Sequence, residues 1–481
     1  MKISPFWPAL LLCFSSAIAD GLPNLGDESL SVFSPQQEQQ LGRNIMQQIR
    51  ADRDYYADPE VTQYLNDLGY RLVAASEAGG QSFHFFVVRD PTLNAFALPG
   101  GYIGVHTTLL LTTQTESELA SVLAHEIGHV TQHHLARMVA AEERTRMPSL
   151  AAMAVAILAA RSNPQVGQAA MATSQALSVQ KALDFTRDNE READRTGFQT
   201  LTKAGFDPRA MPQFFERLLK NSRIYDSSAP EYLRTHPLDT ARIADMENRA
   251  EPLPYRQVPD SLDFQLMRAR LKALLHNPSD AVNDFDGSLK EKRYSSEIAQ
   301  RYGLTLALMR AKNLSRAETE FATLRRIAPP NAFIENLGAS LKMAEGKTDA
   351  AIAAYRAGLR LFPRHRALVY GLADAEIQTG RPAEAEKYLL ARKLEMPDDA
   401  HLYELLAKAQ AAQGKQMLSH RSLAEAYVLE DNPTAAIEQL QIALRNGNGN
   451  FYDQSEVEAR LKELRAENDR GPDGKKAPAK P

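Results

Sequence analysis

Cysteine is almost missing from these 481 residues: Cys13 is the only one. Beyond it no disulfide can form and no thiolate can hold a metal, so a metal site must be built from histidine and carboxylate. Tryptophan is as scarce, with Trp7 alone. An excess of one charge is lacking too: 56 Lys and Arg face 60 Asp and Glu, for a net charge of −4. That balance argues against a nucleic-acid-binding surface. The apolar runs within residues 1–19 and 149–160 both fall short of the roughly 20 residues that cross a bilayer. What is present, 44% hydrophobic and 24% charged residues, is the make-up of a soluble globular protein. The length predicts two or three domains.

Residues 1–19 have a basic start, a short apolar stretch and an Ala17-Ile-Ala19 end. They read as a secretory signal peptide cut after Ala19. Cys13 follows Leu12, where a lipid-anchored cysteine needs a small residue, so soluble export is expected. Cleavage removes both Cys13 and Trp7.

Residues 34–75 read as two helices. Phe83–Arg89, Ala95–Leu98 and Tyr102–His106 read as short strands, punctuated by Asp90-Pro91 and Pro99-Gly-Gly101. His84 and His106 lie in these strands and read as structural. Ser149–Ala160 reads as a helix, either buried against the core or acting as a lid or a hairpin that touches a membrane or partner. From about Tyr255 the chain turns alanine-rich and repetitive. Gly346, Gly380 and Gly414 recur every 34 residues, as do Pro329, Pro363 and Pro397. That period, with a mid-repeat glycine and a terminal proline, marks paired helices of the tetratricopeptide kind, which stack into a solenoid with a concave face for polypeptides. The frame covers 297–330, 331–364, 365–398 and 399–432, and weakly 263–296. The charged, Pro- and Gly-containing end from Asp469 reads as a disordered tail. The expected organisation is a signal peptide (1–19), a metallopeptidase domain (20–252), a repeat domain (253–466) and a tail (467–481).

The chemistry concentrates in His125-Glu126-Ile127-Gly128-His129, inside the helix-forming run Glu118–Thr131. Histidines at i and i+4 stand one turn apart on one face, so both imidazoles can grip one cation. Glu126 is placed to take a proton from an attacking water. A merely histidine-rich amphipathic helix, helped by His133 and His134, would not also provide a third ligand. Such a ligand exists in Asn189-Glu-Arg-Glu-Ala-Asp194: Glu190 and Asp194 share a helical face while Glu192 points elsewhere. Glu190 is assigned to the metal, and Asp194 to the second ring N–H of a ligand histidine.

These two motifs together resemble the zinc peptidases that include HtpX and the CAAX prenyl proteases. Export, with the peptidase first and the repeats second, is similar to the BepA-like (YfgC) branch of that family, periplasmic outer-membrane-protein assembly factors. The likeness runs from about Leu22 to the tail and includes Leu93-Asn-Ala-Phe-Ala97, His134-Leu-Ala-Arg137 and Gly205–Pro212. It implies an α+β zincin-like domain, helical with a small sheet, followed by an all-α repeat solenoid. It implies one Zn2+ per chain on His125, His129 and Glu190, with Glu126 as the catalytic base. The implied setting is the Gram-negative periplasm, soluble or peripherally on the membrane. The implied partners are unfolded or misassembled outer-membrane proteins, and the outer-membrane assembly machinery through the repeats. The activity implied is endopeptidase and chaperone-like quality control; the alternative is a mainly non-proteolytic scaffold. His236-Pro-Leu-Asp-Thr-Ala-Arg242 resembles the family's His-Pro motif. By that likeness His236 is a fourth ligand that keeps the enzyme latent, or else His236 and Arg242 act on substrate or stabilise the oxyanion; a merely structural His-Pro turn is the plain alternative. The edge strand Ala95–Leu98 is expected to pair with an extended substrate.

Overall fold

The computed structural model describes residues 33–143, 187–224, 231–446 and 448–469. The expected signal peptide, the run Ser149–Ala160 and most of the expected tail lie outside these residues. No helix among the described residues is long and apolar enough to cross a membrane.

The described residues open with α1 (Pro35–Ala51) and α2 (Pro59–Ala75), each with proline in its first turn after a capping Ser34 or Asp58. Three strands follow, β1 (His84–Val88), β2 (Ala95–Leu98) and β3 (Tyr102–His106), with a 3-10 turn at Pro99–Gly101 between the last two. The sheet order is β1-β3-β2, with β1 parallel and β2 antiparallel to β3, so β2 is an edge. Next come α3 (Thr107–Thr112) and α4 (Glu116–Thr131). α4 is buried from Glu116 to His129: Leu119, Val122, Leu123 and Ile127 line one apolar face in the core, and the histidine face is covered as well. α5 (His134–Glu143), α6 (Arg187–Lys203) and α7 (Ala210–Ile224) pack against it, and after the short α8 (Glu231–Thr235), α9 (Thr240–Ala250) packs on α6 and α7.

The rest is a helical array: α10 (Leu262–Leu275) with α11 (Pro278–Lys290), α12 (Glu297–Arg310) with α13 (Leu314–Ile327), and α14 (Ala332–Ala344) with α15 (Thr348–Leu361). It continues with α16 (Arg366–Gln378) and α17 (Pro382–Lys393), α18 (Ala400–Ala412) and α19 (Gln416–Leu429), then α20 (Pro433–Asn446) and α21 (Phe451–Asp469). Gly346, Gly380 and Gly414 sit at the intra-pair turns with φ of 75–76°, the left-handed conformation glycine adopts without strain. Lys312 holds the same turn one repeat earlier at φ 61°. The pair α20–α21 extends the array beyond the last 34-residue frame read from the sequence.

The array is rooted in the peptidase part. One apolar cluster runs from Val61 and Ile127 through Phe264 and Phe285 to Leu341. Arg270 of α10 pairs with Asp58 at 2.8 Å and with Glu60. Further along, Arg366 N–H donates to Gln63 (2.9 Å), and Asp431 meets Tyr102 (3.5 Å), Arg43 and Arg50 (both 3.7 Å). The solenoid therefore curves back to the sheet.

Candidate metal centre

α4 presents His125 and His129 on one face, with their Nε2 atoms 3.0 Å apart. α6 brings Glu190, whose Oε2 is 3.5 Å from His125 Nε2 and whose Oε1 is 3.4 Å from His129 Nε2. His236, just past α8, adds Nδ1 at 3.3 Å from His125 Nε2 and 3.1 Å from Glu190 Oε1. All four residues are buried, and their donor atoms lie within 4.8 Å of one another. A tetrahedral zinc with bonds of roughly 2.0–2.1 Å holds its donors about 3.3–3.4 Å apart. Three imidazoles and a carboxylate at this spacing fit one such ion. Glu126 is fully buried beside them, with Oε1 3.4 Å from His236 Nε2 and the Ala97 main chain of β2 nearby.

The carboxylate reaches the histidine pair because α4 and α6 cross at glycines. A Cβ on Gly128 would stand 3.0 Å from the Ala193 carbonyl oxygen, and one on Gly197 would stand 3.0 Å from the His125 nitrogen. Without side chains at these two points, the helices approach until Glu190 reaches the ring nitrogens.

Around the four donors stands a second set of groups. Asp194 Oδ1 lies 3.0 Å from His125 Nδ1. A hydrogen bond there keeps the proton on Nδ1 and leaves Nε2 free to bind a cation. Arg242 of α9 grips Asp194 with Nε and Nη2 (2.7 and 2.8 Å), and its Nη1 reaches Glu190 Oε2 (2.9 Å) and the Pro237 carbonyl (2.6 Å). Each of the seven residues singled out in the sequence thus lies in one cluster. Three more join them to which the sequence reading gave no part at the metal. His134 and Glu192 form a chain leading away from His129. Tyr232, 1% exposed, sets its ring, tilted by 34°, 4.8 Å from that of His236. Tyr232 N–H donates to the Leu93 carbonyl (3.1 Å), tying the His236 segment to the residues before β2. His106 is no ligand: its Nδ1 bonds to Thr92. His84 stacks on Tyr102, 4.7 Å between ring centres.

The electrostatics suit a cation. Burial pulls His125 down, but Asp194 and Glu190 outweigh it and lift the ring to about 9. A proton held there must leave when a cation binds, so metal binding releases protons. Burial drives His129 well below its ordinary value. Burial opposes the charge on Glu190, yet His236, His125 and His129 hold its carboxyl well below the usual range. Burial pushes Glu126 up, as suits a group that must accept a proton and return it.

Two family models match the chain: peptidase family M48 over residues 59–250, and a tetratricopeptide repeat over 342–409. The beta-barrel assembly-enhancing protease of Escherichia coli (strain K12) is 36% identical over 453 residues, 93% of this chain and 92% of that one. The protein of that name from Yersinia pestis is 35% identical over 94% of this chain and 93% of its own length. A mitochondrial metalloendopeptidase, OMA1 of Schizosaccharomyces pombe, is 32% identical over 47% of this chain and 63% of its own. Its metal-ligand cluster and its likeness along nearly the whole length of these relatives agree: the chain belongs to the beta-barrel assembly-enhancing proteases and is a metallopeptidase of family M48 joined to a tetratricopeptide array.

Proposed function

We propose that this chain is a zinc endopeptidase of the Gram-negative periplasm that acts on unfolded or misassembled outer-membrane proteins and rests in a latent state. Zinc, when bound by His125, His129 and Glu190, acidifies water and polarises a peptide carbonyl. The chain's own groups do the rest. Glu126 takes a proton from the attacking water at its carboxylate and passes it to the leaving amine. Asp194 orients His125, and Arg242 holds Asp194 and Glu190 in place. The edge strand β2 runs beside α4 and offers its main chain to an extended substrate, which suits clients that share no side-chain pattern. The relatives' printed names, and the repeat array as a polypeptide-binding arm, support clients from β-barrel assembly.

The observation that carries latency is the position of His236 Nδ1, 3.1–3.3 Å from two other donors. A fourth protein ligand occupies the place a hydrolytic zinc site keeps open. The test is digestion of casein and an unfolded porin by three proteins of verified zinc content. Glu126→Gln should keep zinc and lose cleavage by a factor of about 10² to 10⁴. His236→Ala should raise cleavage above wild type; a fall would instead make His236 part of the catalytic machinery. A blocked fourth position also favours a second reading, in which the resting protein holds clients without cutting them. Complementation by Glu126→Gln discriminates: rescue of assembly defects supports the scaffold, failure the protease.

A further inference from the structure

The chain does not run straight on past α4. Gln132 ends the helix, and His133 takes φ 52°, a conformation L-residues other than Asn, Asp and His seldom hold. The turn delivers His134, first residue of α5, back against His129: the two Nδ1 atoms are 2.8 Å apart, and His134 is fully buried. On its far side His134 Nε2 lies 3.2 Å from Glu192 Oε2, which also accepts from Arg137 Nη2 at 2.8 Å. Glu192 is on α6, two residues from Glu190, and its side chain is 39% exposed.

The proton count along this chain has one arrangement that leaves His129 able to bind a cation. Two ring nitrogens facing each other at hydrogen-bond distance share one proton. If His129 Nε2 is to offer its lone pair, that proton sits on His129 Nδ1. His134 then accepts through Nδ1 and donates its Nε2–H to the Glu192 carboxylate. His125 needs no such intermediary, because Asp194 meets its Nδ1 directly.

We propose that His134 and Glu192 are positioning residues for the metal site: a relay that fixes the tautomer and ring plane of His129 and so sets metal affinity. Neither touches substrate or cation. The relay rests on the reading of His129 as a ligand, and one experiment separates the two ideas. Zinc affinity is measured by competition with a chromophoric chelator for wild type, Glu192→Ala, Glu192→Gln, His134→Ala and the double alanine variant. Thermal unfolding of each is followed with and without zinc.

Wild type should bind one zinc. Loss of such an outer partner weakens metal binding by about 10- to 100-fold, and His134→Ala should fall in that range. Glu192→Ala, a change at a half-exposed position that leaves the core packed, should lose several-fold. Glu192→Gln keeps an acceptor oxygen and should lie between it and wild type. The double variant should bind no more weakly than His134→Ala alone, since the second change acts through the first. The rise in Tm on adding zinc should shrink in the same order. Wild-type affinity in both single alanine variants would overturn the relay, as would losses that simply add. So would a His134→Ala protein whose apo and zinc-loaded Tm fall equally at unchanged affinity, which is the mark of packing alone. A wild type that binds no zinc would overturn the metal reading itself, and the relay with it.

Discussion

Arg242 has no nitrogen to spare. Its three nitrogens are committed to both oxygens of Asp194, to Glu190 and to the Pro237 carbonyl, and the residue is 3% exposed. One guanidinium thus ties the carboxylate that orients His125, the carboxylate among the four donors, and the segment that carries His236. Four of its five N–H donors face these partners, so an Arg committed in this way holds the site together. Lysine cannot reproduce the planar fork. Arg242→Lys should therefore leave Asp194 poorly paired in the interior and lower unfolding stability by about 3–5 kcal/mol, measured in urea; a change under about 1 kcal/mol would deny it this role. At this scale, how much could be read from the sequence depended on spacing. Glu190 and Asp194 are separated by one helical turn, and periodicity alone pairs them. His134 acts on His129 across a helix break at a left-handed residue, which no 3.6-residue pattern reveals. Glu192 was read correctly as pointing off the Glu190 face, but what waits on that other face is a tertiary fact. Tyr232 is held by the distant Leu93 carbonyl and by the rings of His125 and His236, contacts that no local pattern foretells.

Elements succeed or fail as partners at the α4–α6 crossing. Alanine in place of a helical glycine ordinarily gains about 1 kcal/mol of helix propensity. At Gly128 the new Cβ would meet Thr196 Oγ1 at 2.7 Å and the Ala193 main chain at 3.0 Å; at Gly197 it would meet the main chain of Ala124 and His125 at 3.0–3.1 Å. Backbone cannot step aside as a side chain can, and overpacking of this kind costs about 1–3 kcal/mol, so the clash outweighs the propensity. Gly128→Ala and Gly197→Ala should both lose stability and bind zinc at least several-fold more weakly, as Glu190 is carried away from the histidines. Gly346→Ala is the control. Its Cβ meets nothing within 4 Å, though φ is 75°, so stability should drop by about 1 kcal/mol with zinc affinity unchanged. Zinc binding unaltered in the first two variants would refute the crossing argument. The three strands and the repeat helices were legible because their patterns are local: alternation bounded by Pro and Gly, and a glycine every 34 residues. The pattern fades where Lys312 takes the glycine's place, since a left-handed lysine looks in sequence like any surface residue.

At the scale of the whole molecule, the junction of peptidase part and array is a buried cluster around Arg270. Glu60 and His365 both face it, from α2 and from the N-cap of α16. Burial, only partly offset by Arg270, lifts Glu60 from an ordinary 4.5 to about 7. Burial, reinforced by Arg270, lowers His365 from 6.5 to about 4. The two act on stability with opposite signs. Glu60 binds its proton more tightly when folded, so its contribution is complete below pH 4.5 and is lost as pH rises to about 7. His365 binds its proton less tightly when folded, so its contribution is complete above pH 6.5 and is lost as pH falls to about 4. Each of these two shifts corresponds to roughly 3–4 kcal/mol at most. Between about pH 4.5 and 6.5 they largely cancel, and the junction holds near-constant strength over that range. Removing one partner exposes the other. His365→Gln should make Tm fall, relative to wild type, as pH is raised from 5 to 6.5, whereas Glu60→Gln should make it rise. The metal centre titrates alike in all three proteins and drops out of the comparison. Two variants that keep the wild-type pH profile would show that the array is not held to the peptidase part through this charged cluster. It would then rest on the continuous apolar core from Val61 to Leu341, which carries no pH dependence of its own.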